Sequence, residues 1–129
     1  MLVARGLIDD DLEIRERMIV EAFSGGWAGK DHFDELCDMR NVLTLAGAYK
    51  EDPQAIAMGD AMRIPMGNIR DRFERTGRMG VTGDELAMLR EFAAFYRDFW
   101  IRQPVQLYVT ACDELNRWHK DLRIDKEAA

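Results

Sequence analysis

Apolar residues recur along most of the chain at the three- and four-residue steps of a helix, and no stretch alternates as a strand would. Leu12, Ile14, Met18, Ile19, Ala22 and Phe23 place a first helix over residues 9–23. Asp9, Asp10 and Asp11 offer it a cap and suit its positive end, and Ser24-Gly25-Gly26 ends it. Trp27 is expected to be buried and to pin this glycine hinge. A second helix runs from Asp31 to about Lys50. Its first turns are acidic, and its second half, Val42–Tyr49, is apolar on nearly every side, as in a helix that crosses the middle of a core. Glu51-Asp52-Pro53 stops it and starts the next element, with Pro53 in a first helical turn.

In that next element, Pro53–Thr76, Met62, Met66, Ile69 and Phe73 form one stripe at steps of four, three and four. Pro65 lies inside the stripe, where its ring denies a hydrogen bond to the carbonyl four residues back. Either one helix kinks near Arg63–Pro65 or two helices meet there in a tight turn. Thr82-Gly83-Asp84-Glu85 then has capping-box spacing and opens a helix carrying Leu86, Leu89, Phe92, Ala93 and Tyr96. Phe99 and Trp100 are adjacent, so one of them is expected at the surface or at an interface. Gln103-Pro104 breaks this helix. A last one, from Pro104 to about Leu122, carries Leu107, Tyr108, Ala111, Cys112, Leu115 and Trp118, with residues 124–129 frayed.

Composition agrees with this pattern. A chain of 129 residues can bury a core without disulfides or metal, and 47% hydrophobic with 33% charged residues is a globular balance. No apolar run has the length to span a bilayer, and no basic leader followed by an apolar segment is present. Cys37 and Cys112 sit inside helical patterns and read as buried, reduced thiols of a cytoplasmic protein. The expectation is a single all-α domain over residues 1–129, a bundle of about five helices, with no cofactor, no membrane contact and a homodimeric state.

Charge changes the picture more than composition does. The net charge is −6, and residues 1–62 hold most of the acidic excess. Residues 63–78 reverse it, with Arg63, Arg70, Arg72, Arg75 and Arg78 against Asp71 and Glu74. An acidic total argues against nucleic-acid binding over the whole surface, but not against a local basic reading head. Arg70–Glu74 and Asp71–Arg75 are i,i+4 pairs that would neutralise part of this charge on a solvated face.

Around this segment Gly59, Met62, Ile64-Pro65-Met66-Gly67, Asn68-Ile69, Arg70, Arg72, Phe73 and Arg75 follow a known order. Residues 54–75 resemble the helix-turn-helix of bacterial sigma factors, in the region that reads the minus-35 promoter element. Gly59 stands at the small position of the first helix, Met62 at its buried leucine, residues 64–67 at the Ile-Pro-x-Gly turn, and Asn68-Ile69 at Thr-Val. Arg63 stands where the family's turn has glycine, and Asp71 lies on the second helix. The resemblance implies a recognition helix in the major groove, with Asn68 on an adenine edge and Arg70 or Arg72 on guanine. Arg63, Arg75 and Arg78 would hold phosphates.

Other constellations are poorer. Ser24–Asp31 lacks the leading glycine and the Ser or Thr of a phosphate loop, and no strand precedes it. Asp31, His32, Asp34, Glu35 and Asp38 suggest a metal site, but acidic residues in first turns suit a helix dipole, and no Glu-x-x-His pair or HExxH motif is present. No catalytic residues are assigned. The expected function is that of a small non-enzymatic DNA-binding regulator. The alternative is a helical protein-binding module or inhibitor without DNA contact.

Overall fold

Helix ends set the path of the chain. The computed structural model describes the backbone of residues 2–128 and the side chains of residues 14–121. Among them are six α-helices: α1 (Leu2–Gly25), α2 (Lys30–Lys50), α3 (Pro53–Ala61), α4 (Arg63–Thr76), α5 (Gly83–Ile101) and α6 (Val105–Ala128). Met62 alone separates α3 from α4, so the bundle has five helical arms, one of them broken. No described helix is long and apolar enough to cross a membrane.

Left-handed residues stop three of the helices. Gly26, at φ 76°, closes α1, and the Trp27 N–H donates back to Ala22 O at 3.0 Å. Gly77, at φ 74°, closes α4 by donating to Phe73 O at 2.7 Å. At the end of α2 the same job falls to Glu51, at φ 51° and ψ 44°, while Asp52 N–H reaches Gly47 O at 2.8 Å. Only glycine takes this conformation without steric cost. Asp52 then caps α3, its carboxylate accepting from Gln54 N and Ala55 N, with Pro53 in the first turn. Thr82 and Glu85 form the expected capping box: Glu85 N donates to Thr82 Oγ1 at 3.1 Å and Thr82 N donates to Glu85 Oε1 at 2.9 Å.

In the packing, α1 lies along α5, α2 holds α3 and α6, and α3 also touches α5. The core is built from Ile19, Leu36, Leu43, Met62, Ile69, Leu89, Phe92 and Phe99, all essentially closed to solvent. Each such side chain contributes roughly 1.5–3 kcal/mol by leaving water. Small residues bring α3 against α2: a Cβ on Gly47 would meet Ala55 Cβ at 3.0 Å, and one on Gly59 would collide with Thr44 Oγ1.

Several expectations need correction. The first helix begins at Leu2, so Asp9–Asp11 lie within it rather than at its cap, and their side chains fall outside the described ones. Likewise α6 continues through Ala128 instead of ending near Leu122. Trp27 is 56% exposed rather than buried. It follows the left-handed Gly26, and its ring lies over Gly25 and edge-on to His32 instead of entering the core. Phe99 and Trp100 are both buried, because α6 folds back after Pro104 and sets Tyr108 edge-on to Trp100 at 5.0 Å, while Phe95 stacks on Phe99. The adjacent pair therefore offers no surface aromatic for a dimer. Trp118 and Tyr49 are half exposed. Cys37 and Cys112 are free and half-buried, and burial is the main cause raising both thiol pKa values.

Candidate nucleic-acid interface

The arginine segment is anchored by its apolar stripe. Met62, Met66 and Ile69 are buried and Phe73 packs partly against the core, as the spacing predicts. Pro65 is the third residue of α4. Its missing N–H costs that helix nothing, because the first turn has no internal acceptor for it. It does leave the α3 hydrogen-bond ladder without a continuation, and the first bond beyond the break is Met66 N to Met62 O at 3.0 Å.

The break is a single right-handed residue. Met62 sits at φ −78° and ψ −12°. Positive φ among the described non-glycine residues occurs at Glu51 and not at Arg63. The family's left-handed turn residue thus has no counterpart at Arg63, which already belongs to α4. A guanidinium side chain there meets none of the steric cost that a left-handed turn would impose.

The six singled-out residues do not act as one set. Arg72 is tied inward: Nη1 and Nη2 donate to the two Glu85 carboxylate oxygens at 2.9 Å each, and Nη1 also donates to Gly80 O at 2.9 Å. This bidentate fork fastens the end of α4 to the start of α5. The Arg72 hydrogen bond is the largest cause of the lowered Glu85 pKa, with the Thr82 backbone adding to it. Arg63, Asn68, Arg70, Arg75 and Arg78 are exposed. Arg70 leans on Asp71 at 3.6 Å rather than pairing with Glu74.

Helical geometry sorts the exposed residues into a ridge and one flank. At about 100° per residue, Gly67, Asn68 and Asp71 lie towards the side opposite the Met66–Ile69 stripe. Arg63 and Arg70 fall on one flank, whereas Arg75, about 140° around from Arg70 over five residues, lies on the ridge with Asn68 and Asp71 at the C-terminal end of the helix. This flank faces α2, where the Arg63 charge helps to lower the Arg40 pKa and the Arg70 charge acts on Cys37. Beyond the end of α4, Arg78 shares an open depression with Thr76, Gly80 and Thr82.

Arg40 was not singled out by sequence. Its Nε donates to Gly59 O at 2.7 Å and its Nη1 donates to Asn41 Oδ1 at 3.0 Å, while Nη2 lies 3.9 Å from Asp60 Oδ1. It neutralises the carbonyl end of α3 just before the break. Burial first, and then the Arg63 charge, lower its pKa. A lone arginine in the middle of an acidic helix was the available signal. Ile64, 76% exposed on α4, is a second residue that the stripe did not mark.

The acidic turns of α2 are distributed among different partners. His32 Nδ1 accepts from Gly29 N at 2.9 Å, Glu35 lies 3.9 Å from Arg15, and Asp38 lies 3.7 Å from His119. Among the described residues no group of three or more His, Cys, Asp and Glu is arranged to hold a metal ion. No protein-family model, curated protein or solved structure matches the chain.

Proposed function

We propose that the chain is a small non-enzymatic DNA-binding protein that lays α4 into a major groove. The observation that carries this reading is an exposed ridge bearing Asn68, with Arg63 and Arg70 on one flank, Arg75 at the C-terminal end of the ridge and Arg78 just beyond the helix. A helix in a groove faces base edges with the N-terminal part of its ridge, and phosphates with its flank and its far end. In this reading Asn68 pairs with an adenine edge, and Asp71 accepts from a cytosine amino group. Arg70 moves from base reader to phosphate contact, and Arg72 leaves the interface for a structural role. Elsewhere the acidic surface repels DNA and confines contact to this helix.

An alanine series along α4, measured by fluorescence anisotropy on a mixed-sequence duplex, tests the assignment. Arg63→Ala, Arg70→Ala, Arg75→Ala and Arg78→Ala each weaken binding to all sequences and each lower the salt slope by about 1. Asn68→Ala alters sequence preference instead. Arginine substitutions that leave affinity unchanged overturn the reading. Exposed Ile64 favours a second reading, in which the same face docks on a protein; there Ile64→Ser abolishes partner binding and the duplex does not bind at all.

A further inference from the structure

A cleft of about 230 Å³ opens between α1, α2, α5 and α6, away from the arginine helix. Its floor is apolar, with Met39, Val42 and Leu115, and its walls include Tyr96 and Tyr108. Tyr96 is only 2% exposed, so the half-buried Tyr108 supplies most of the open aromatic wall. Asp38 and Glu35 from successive turns of α2 stand at the rim, with Arg15 of α1 opposite.

Rim partners are loose. Glu35 is 3.9 Å from Arg15 Nε, and Asp38 is 3.7 Å from His119 Nε2, both beyond hydrogen-bond length. Both carboxylates keep oxygens able to accept. Two carboxylates against one guanidinium leave the lining net negative, and Asp34 on α2 adds to the negative field at Asp38. Among the described residues His119 is the partner of Asp38, a cation only when protonated.

Size narrows the occupant. An apolar cavity of about 150 Å³ holds benzene. A cleft of about 230 Å³ therefore holds one ring and a short tail. A tyrosine wall suits a ring, packed offset or edge to face, and the carboxylate rim favours a cation over an anion.

We infer that this cleft binds a small organic ammonium, with one ring on the Val42–Leu115 floor beside Tyr108 and its ammonium donating to Asp38 and Glu35. The incoming charge compensates carboxylates that are partly withdrawn from water and incompletely paired. This site shares no residue with the α4 interface, so its failure and that of the DNA reading are separate results.

Three probes of one shape test it: phenethylamine, 2-phenylethanol and phenylacetate, titrated into the full chain by calorimetry at neutral pH. The amine is expected to bind one per chain, at least tenfold tighter than the alcohol, with phenylacetate weaker still. Asp38→Asn removes the preference for amine over alcohol and leaves the alcohol's affinity unchanged. Val42→Trp, which fills the floor, abolishes all three; its fold is checked by circular dichroism. Equal binding of amine and alcohol, an unchanged preference in Asp38→Asn, or no amine binding at millimolar concentration overturns the proposal.

Discussion

Glu85 does two jobs with one carboxylate, accepting from Thr82 N at the start of α5 and from Arg72 across the α4–α5 connection. Both favour the ionised form, so its pKa is lowered from the ordinary 4.5. A lowered folded-state pKa gives stability that is fully present above the unfolded value and is lost as pH falls through the folded one. Chemical denaturation at a series of pH values should therefore show stability declining below about 4.5 in the wild type. Glu85→Gln should flatten that decline, and an unchanged acid limb would exclude the linkage. Glu51 carries the opposite kind of information. Its left-handed backbone costs a side-chain-bearing residue about 1 kcal/mol, and Glu51→Gly should recover roughly that amount in an unfolding titration. A destabilised Glu51→Gly would mean that the glutamate side chain matters more than the backbone strain.

At the scale of elements, α2 and α3 form a close antiparallel pair because Gly47, Ala55 and Gly59 leave room for it. Alanine at Gly59 gains helix propensity of about 1 kcal/mol but forces its methyl group onto Thr44 Oγ1, and overpacking costs roughly 1–3 kcal/mol. Gly59→Ala should lower stability, and combining it with Thr44→Ala should restore part of the loss in a double-mutant cycle. Additive effects would show that the two sites do not meet. The sequence made much at this scale legible. The capping box of α5, the bounds of α2 and the buried stripe Met62–Met66–Ile69 follow from local rules of spacing and hydrogen bonding. Trp27, Phe99 and Trp100 were not legible, because their burial depends on which helix folds over them: α6 returns to cover Trp100, and nothing covers Trp27. The fate of Arg72 was hidden for the same reason, its partner lying thirteen residues away on another helix.

Across the whole molecule, charge is divided between an acidic body and one basic helix. At about 0.1 M salt the Debye length is about 10 Å, so the acidic body acts on α4 mainly through its nearest carboxylates. Asp71 and Glu74 are the carboxylates on α4 itself. Four exposed arginines contacting phosphate would give a logarithmic salt slope of about −3 to −4, at −0.9 for each phosphate. The most direct test of the central claim is the affinity of the full chain for a mixed-sequence 20-base-pair duplex between about 50 and 200 mM salt. The same titration is run on a variant in which Arg63, Arg70, Arg75 and Arg78 are all alanine. Binding at the low-salt end with that slope is expected, and its loss in the variant. No binding at low salt, or an equal slope in both proteins, would contradict it.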